Sequence, residues 1–227
     1  MPVFLLSESN QFPHPNLASE NGLLAVGGDL SLNRLLLAYR HGIFPWFGEN
    51  EPILWWSPNP RLVLFPDELY VARSLKKILK KNGFRVTMDQ AFHEVISACA
   101  AVRTEKNEAT WIVGDMIEAY GRLHAAGYAH SVEVWRHGDL AGGLYGVSLG
   151  RCFFGESMFA NISNASKVAL VKLVEHLKTL SFHLIDCQVA TAHLMRMGAR
   201  EISRDRFLAM LEKALQFPTV QGKWRLS

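Results

Sequence analysis

Hydrophobic residues follow regular spacings from about residue 66 to the end of the chain. Apolar positions that recur every three to four residues predict helices, and alternating apolar positions predict strands. We expect helices at 67–82, from a cap at Asp89, after Trp111, after a cap at Ser163 or Asn164, near 189–197, and from Ser203 to about 216. Strands are expected at 129–136, 140–147, 152–158 and 182–187.

The first three of these strands are joined by two short turns. Strands spaced so closely form an antiparallel meander. A helix, a further buried strand and two more helices follow the meander. This order of elements predicts an α+β fold with a mixed sheet.

The first 65 residues have a different pattern and contain one predicted helix. Asp29 or Ser31 caps this helix, and Gly42 ends it. The next segment holds tryptophans among prolines, which favour a stiff, extended chain. We therefore expect a small N-terminal domain over 1–65, packed on a larger domain over 66–227.

Charge and motif content exclude several classes of protein. The net charge of +3 permits an anionic partner without requiring one. No segment approaches the roughly 20 apolar residues of a membrane-spanning helix, and the N-terminus has no signal-peptide pattern. The cysteines, histidines and glycines form no metal-binding or nucleotide-binding motif, so we expect no metal, no cofactor and a reducing, cytoplasmic location.

One predicted helix carries its basic residues on a single face. At about 100° per residue, the cations fall within an arc of about 140°, opposite the apolar residues. They are Arg73, Lys76, Lys77, Lys80 and Lys81. A solvated helix face and a surface that binds nucleic-acid phosphates both fit this pattern.

Three polar residues stand among apolar ones at predicted strand ends. Glu156 has aromatic and apolar neighbours, so its carboxylate lies either at the surface or beside a partner. Asp186 and Gln188 are two residues apart, and strand alternation predicts that both side chains share one face. Catalytic groups and ordinary caps for a following helix both occur at such positions.

Several strings in the chain resemble the bacterial leucyl/phenylalanyl-tRNA–protein transferases, over essentially its whole length. The N-terminal strings are GLLAVGGDL at 22–30, RHGIFPWF at 40–47 and LWWSP at 54–58. The later strings are TWI at 110–112, HSVEVW at 130–135, GESMF at 155–159 and IDCQ at 185–188. Because these strings occur together and in order, they are more specific than any single short motif.

This resemblance implies a C-terminal domain of GNAT-like acyltransferase fold. It also implies an enzyme that moves Leu, Phe or Met from aminoacyl-tRNA to a protein beginning with Arg or Lys, marking that protein for degradation by the N-end rule pathway. The implied reaction centre is Glu156, Asp186 and Gln188, and the basic helix face supplies the implied tRNA contacts. The expected substrate-binding residues are Trp46, Trp111, Tyr120, Leu144, Phe153, Gly155, Ser157 and Met158.

Two other classes of protein remain as alternatives. An acetyltransferase of this fold that uses acetyl-CoA would need a glycine-rich loop before the helix at 165–180, and residues 161–166 contain no glycine. A pure RNA-binding module would have no need of the three reaction-centre residues. The expected protein is a monomer with no membrane association, and Leu144 stands where the family pattern has Met.

Overall fold

The structure is a computed structural model that describes residues 3–81, 83–105 and 111–226. Within these residues the helices are α1 (Leu32–Arg40), α2 (Arg73–Lys80), α3 (Phe92–Glu105), α4 (Gly114–Ala125), α5 (Ala165–Thr179), α6 (Ala192–Met195) and α7 (Arg204–Leu215). The strands are β1 (Phe4–Leu6), β2 (Leu23–Gly27), β3 (Phe44–Pro45), β4 (Leu54–Trp56), β5 (Arg61–Leu64), β6 (Arg85–Met88), β7 (Ala129–Arg136), β8 (Asp139–Leu149), β9 (Cys152–Ala160), β10 (Leu184–Gln188) and β11 (Arg200–Ile202).

The strands form two sheets. The smaller sheet has the order β1-β2-β4-β3, and the larger has the order β11-β5-β10-β9-β8-β7-β6. In the larger sheet β9 and β10 run parallel, whereas the other neighbours run antiparallel. The prediction of an α+β fold with a mixed sheet is therefore confirmed. The chain passes from one sheet to the other between Trp56 and Arg61, and the domain division at residue 65 stays a prediction.

The predicted meander is present as β7, β8 and β9. Its two antiparallel pairings run from Ala129 opposite Val147 and from Leu149 opposite Cys152. Gly138 and Gly150 have positive φ angles in the two connecting turns, a conformation that glycine adopts without steric cost. Each strand is at least as long as predicted, because the hydrogen bonds between the strands continue into the turns.

Helices cover both faces of the larger sheet. One face packs against α5 and α2, and the other packs against α3, α4, α7, α1 and the smaller sheet. A strand between two packed layers is buried on both sides, and every residue of β5 is buried. A polar residue inside such a strand is costly unless it has a partner within the protein.

Two helices are shorter than predicted. The helix expected at 67–82 begins only at Arg73, because a 3₁₀ turn at Pro66–Glu68 precedes it and the Tyr70 N–H donates to the Met197 carbonyl at 2.9 Å. Its last predicted residue, Asn82, lies outside the described residues. The helix expected near 189–197 is the single turn of α6.

The predicted helix caps have different outcomes. The hydroxyls of Ser31 and Ser203 accept the backbone N–H groups of α1 and α7, as expected. Asn164 precedes α5 with a φ of 70°, but its side chain makes no capping hydrogen bond. The Asp89 carboxylate accepts instead from the Ser131 and Trp224 N–H groups, which fastens the C-terminal segment to the larger sheet.

No helix in the described ranges is long and apolar enough to cross a membrane. The helix predicted after Trp111 is α4, and Thr110 lies outside the described residues.

Candidate active site

A cavity of about 530 Å³ opens where the smaller sheet meets β8, β9, β10 and α5. It contains nearly all of the predicted substrate-binding residues, and its wall is largely apolar. The predicted residues that line it are Trp46, Trp111, Leu144, Phe153, Gly155, Ser157 and Met158. Tyr120 is the exception, because it is completely buried behind Glu156. Trp46 is 40% exposed at the mouth and Trp111 is 7% exposed deeper in the wall.

Two β-bulges shape the polar end of this cavity. In β9, Glu156 is the extra residue, because Tyr145 pairs with Ser157 and Gly146 pairs with Gly155. In β10, Cys187 is the extra residue between the two that pair with β5. A bulge redirects the side chains around it, and here the two bulges lie on neighbouring strands. The result brings the side chains of Glu156 and Gln188 into contact.

Glu156 is almost fully buried and receives three hydrogen bonds. Its Oε1 accepts from the Tyr39 hydroxyl at 2.8 Å and from Gln188 Nε2 at 2.9 Å. Its Oε2 accepts from the Tyr120 hydroxyl at 2.9 Å. Because these donors come from α1, α4 and β10, the carboxyl is held by three separate parts of the chain.

The hydroxyls of Tyr39 and Tyr120 also contact each other closely. Three oxygen–oxygen contacts therefore join Glu156 and the two tyrosines, whereas two hydroxyls supply only two protons. When the Glu156 carboxyl is protonated, it supplies the third proton and donates one of these hydrogen bonds instead of accepting it. Burial raises the pKa of Glu156 to about 7, against the opposing effect of the tyrosine and Gln188 hydrogen bonds. Burial likewise raises the pKa of both tyrosines well above the usual range, so both stay protonated.

Asp186 faces away from the cavity and pairs with Arg61. Arg61 Nε donates to Oδ1 at 2.8 Å and Arg61 Nη2 donates to Oδ2 at 2.6 Å. Both side chains are buried, and the guanidinium lies between the rings of Phe44 and Phe207. The pair satisfies two charges that would otherwise be costly inside the protein.

The prediction that Asp186 and Gln188 share one face is wrong. The bulge at Cys187 separates them, and Gln188 adopts a left-handed φ of 63°. The backbone N–H of Gln188 donates to Asp186 Oδ1 at 2.9 Å, while the Gln188 side chain lines the cavity. Asp186 thus holds the Gln188 backbone, and Glu156 holds the Gln188 amide.

The predicted tRNA-binding residues lie away from the cavity on one side of α2. All are exposed, and none forms an ion pair within the described ranges. They are Arg73, Lys76, Lys77, Lys80 and Lys81. The helix is anchored by the buried side chain of Leu75 and packs against α5.

Two residues that contact the predicted reaction centre were not predicted from the sequence. Tyr39 belongs to the apolar stripe of α1, where a buried aromatic residue is expected in any case. Arg61 follows a proline-rich turn and begins a strand of apolar residues. The only signal for Arg61 was its charge within a buried strand, which requires a buried partner.

An apolar cavity with a few hydrogen-bonded polar groups at one end is the usual form of a binding site for a small substrate group. The model of the "Leucyl/phenylalanyl-tRNA protein transferase" family matches residues 63–212, and the model of its N-terminal domain matches residues 28–59. The chain belongs to this family and is a transferase.

Curated relatives named leucyl/phenylalanyl-tRNA–protein transferase match almost the whole chain. The protein of Desulfatibacillum aliphaticivorans is 61% identical over 100% of this chain and 97% of its own length. That of Syntrophobacter fumaroxidans is 64% identical over 93% of this chain and 90% of its own length. That of Syntrophus aciditrophicus is 58% identical over 99% and 94%.

Similarity to solved structures is weak. An aminoglycoside acetyltransferase from an uncultured soil sample, in complex with sisomicin, is 13% identical over 65% of this chain and 99% of its own, with a TM-score of 0.41. The L-PGS structure from Bacillus licheniformis is 7% identical over 74% of this chain and 53% of its own, with a TM-score of 0.42.

Proposed function

We propose that this protein transfers Leu, Phe or Met from aminoacyl-tRNA to the N-terminus of proteins that begin with Arg or Lys. The transfer marks the acceptor for degradation by the N-end rule pathway. The enzyme acts as a monomer in the cytoplasm and uses no metal or cofactor. Membership of the family supports the donor and acceptor classes, and the size and apolar wall of the cavity support the donor side chains.

The observation that carries this proposal is the hydrogen bond between Gln188 and Glu156 at the end of the apolar cavity. Glu156 accepts from Gln188 Nε2, so the Gln188 carbonyl oxygen is the part of the amide left to meet a substrate. An amide oxygen accepts a hydrogen bond but is too weak a base to remove a proton from an ammonium group. Gln188 therefore orients an incoming neutral α-amine.

The reaction balances without a covalent intermediate on the enzyme. The amine nitrogen attacks the carbonyl carbon of the aminoacyl ester, the ester bond to the ribose oxygen breaks, and that oxygen takes up a proton as the tRNA leaves. The reference pKa of an α-amine is about 7.7–8.0, so a large neutral fraction exists near neutral pH. Fixing the ester and the amine together supplies much of the rate, since effective molarities reach about 10⁵–10⁸ M.

The apolar wall accounts for a choice among several donor side chains. Leu144, Phe153 and Met158 give a surface without hydrogen-bond donors or acceptors for the donor side chain. Such a pocket discriminates by about 10–200-fold for one methylene. It accepts Leu, Phe and Met together, whereas charged and polar side chains lose their hydration without compensation.

Transfer from labelled Phe-tRNA, Leu-tRNA and Met-tRNA to peptides beginning with Arg, Lys or Ala tests the proposal. We expect labelled product with the Arg and Lys peptides, and loss of the product in Gln188→Ala. The control is Gln216→Ala, an exposed residue at the end of α7. Binding of charged tRNA without transfer to any peptide would identify an RNA-binding module instead. Acetyl transfer from acetyl-CoA would identify the other alternative.

A further inference from the structure

One rim of the cavity is formed by the start of α5 and by α6. Ser166 of α5 and Thr191 and His193 of the α6 turn line the cavity at this rim. His193 Nε2 is buried and has no hydrogen-bond partner among the described residues. A buried ring nitrogen without a partner in the protein is able to form a hydrogen bond with a group bound in the cavity.

Two cations flank this histidine. Burial lowers the pKa of His193, and the nearby charges of Lys167 and Arg196 lower it further. Within the described ranges no carboxylate pairs with either cation, and the single polar contact of Lys167 Nζ is with Asn164 Oδ1 at 3.4 Å. The positive charge beside His193 is therefore not neutralised by a carboxylate among these residues.

The first turn of α5 adds to this positive potential. Its backbone N–H groups carry the partial positive charge of a helix N-terminus, and the Asn164 side chain does not cap them. A helix start with a lysine in its first turn, as Lys167 is here, is a favourable position for an anion, because the backbone N–H groups and the ammonium both favour negative charge.

The rim continues into the basic face of α2. The segment before α2 is bound to the end of α6 through the Tyr70–Met197 backbone hydrogen bond of 2.9 Å, and α2 itself packs on α5. The exposed cations of α2 and the cations at the rim therefore lie on adjoining elements. A polyanion that followed α2 would reach the cavity across Arg196 and Lys167.

We propose that Lys167, His193 and Arg196 form a phosphate-binding rim at the mouth of the cavity. Its ligand is the phosphodiester group that joins the last nucleotide of the donor RNA to the nucleotide before it. This inference rests on the proposed function, because it assumes that the aminoacylated end of an RNA occupies the cavity. The α2 cations hold phosphates far from the ester, whereas this rim fixes the phosphate next to the reacting nucleotide.

The experiment compares three donors: Phe-tRNA, phenylalanyl-adenosine with a 5′-phosphate, and phenylalanyl-adenosine without one. Only the first two carry the phosphate that the proposed site binds. In Lys167→Ala/Arg196→Ala we expect the KM of the two phosphorylated donors to rise roughly tenfold or more, since charge-assisted hydrogen bonds are lost. The KM of the phosphate-free donor and every kcat stay unchanged. The control is Lys172→Ala, a partly exposed lysine on α5 that already pairs with Glu175 at 2.8 Å.

Equal KM changes for the phosphate-free and phosphorylated donors would overturn the proposal, as would no change for any donor. A binding measurement keeps the proposal testable without catalysis. Adenosine 5′-monophosphate is expected to raise the pKa of His193, followed by NMR and assigned with His193→Gln, because a nearby anion favours the charged imidazole. Adenosine should not do so. If the unmodified protein transferred nothing to the Arg peptide but still gave this shift, the proposed function would fail while the phosphate site remained.

Discussion

Gln188 Nε2 and Glu156 Oε1 are 2.9 Å apart, and this hydrogen bond crosses between two bulged parallel strands. It fixes which end of the Gln188 amide faces the cavity. The resemblance to known transferases implies that Glu156, Asp186 and Gln188 form one reaction centre, and in the structure the three residues make different contacts. Glu156 orients the amide, and Asp186 with Arg61 fixes the backbone from which the amide extends.

The first prediction concerns the pH dependence of transfer. With a pKa of about 7, Glu156 is protonated below that pH and ionised above it. The ionised carboxylate holds the Gln188 amide through a stronger, charge-assisted hydrogen bond. The α-amine of the acceptor also loses its proton as the pH rises, with a pKa of about 7.7–8.0. We therefore expect log kcat/KM of the unmodified enzyme to rise with a slope between about one and two near pH 7.

The matched variant for this profile is Glu156→Gln. It cannot ionise, so the slope falls to about one, because the amine alone still titrates. We also expect a lower kcat with little change in the KM for the acceptor, since the carboxyl contacts Gln188 and the tyrosines rather than the peptide. If acceptor KM rose selectively for Arg and Lys peptides, Glu156 would select basic N-termini and the positioning role would be wrong.

A second prediction concerns stability, which does not depend on the substrate. The pKa of Glu156 is about 7 in the folded protein and 4.5 in its reference state. Between these values the folded chain binds more protons than the unfolded chain, so the free energy of unfolding falls as pH rises. Glu156→Gln removes this decline. Relative to the unmodified protein, the free energy of unfolding of the variant should rise by about 3 kcal/mol between pH 4.5 and about pH 7.5.

Denaturant unfolding of both proteins at several pH values measures that difference. Other titrating groups cancel, because they are common to the two proteins. A constant difference across the range would show that Glu156 does not change its protonation between the folded and unfolded chain.

A third prediction separates the structural and positioning roles of Arg61. Arg61→Met leaves the buried Asp186 carboxylate without its cation and should lower the free energy of unfolding by about 3–5 kcal/mol. In Arg61→Met/Asp186→Leu the unpaired charge is gone, so we expect most of the stability to return. Transfer should not return, because the Gln188 N–H then lacks the acceptor that holds its left-handed backbone.

Denaturant unfolding and steady-state transfer on the same samples check this. Recovery of kcat together with stability would mean that the ion pair only supports the fold.

The sequence predicts regular elements well and irregular ones poorly. The meander and the caps at Ser31 and Ser203 follow from local spacing and chemistry, which act over a few residues. The bulges at Glu156 and Cys187 do not, because period-two alternation assumes an unbroken ladder. Those bulges decide which side chains meet at the proposed reaction centre.

Long-range hydrogen bonds account for most other differences. Segment 69–72 has residues that suit a helix, yet the bond from Tyr70 to Met197 keeps it outside α2. The prediction that Tyr39 is a buried residue of α1 is confirmed. No local pattern shows that its hydroxyl contacts Glu156, 117 positions later. Contacts between residues so far apart in sequence depend on how the smaller sheet packs on the larger one, which no local pattern predicts.

A fourth prediction concerns the two tryptophans of the cavity. Trp46 is 40% exposed, so Trp46→Ala should raise the donor KM by the loss of a stacking surface worth about 1–3 kcal/mol, with little loss of stability. Trp111 is 7% exposed and part of the core, so Trp111→Ala should also lower the free energy of unfolding by about 3–5 kcal/mol. Thermal unfolding measures the loss of stability in each variant, and donor titrations measure the change in donor KM. An unchanged donor KM in Trp46→Ala would remove this residue from the donor site.

The last prediction concerns the basic face of α2. Its five cations are exposed and without carboxylate partners in the described ranges, so the fold gains nothing from them that would explain their clustering. If they bind RNA phosphates, Lys77→Glu/Lys81→Glu should raise the KM for Phe-tRNA and leave kcat almost unchanged. The slope of log KM against log salt should also become shallower by roughly one to two, because fewer counterions are released on binding.

Lys213→Glu, compared with Lys77→Glu alone, is the control for net charge, since each variant reverses one exposed lysine and Lys213 lies on α7. A phosphate-free aminoacyl-adenosine donor is the control for the cavity, and its KM should not respond to the α2 substitutions. If Lys77→Glu/Lys81→Glu had the same salt slope as the unmodified enzyme, the basic face of α2 would be an ordinary solvated helix face. A matching effect from Lys213→Glu would show that overall charge, rather than this face, attracts the RNA.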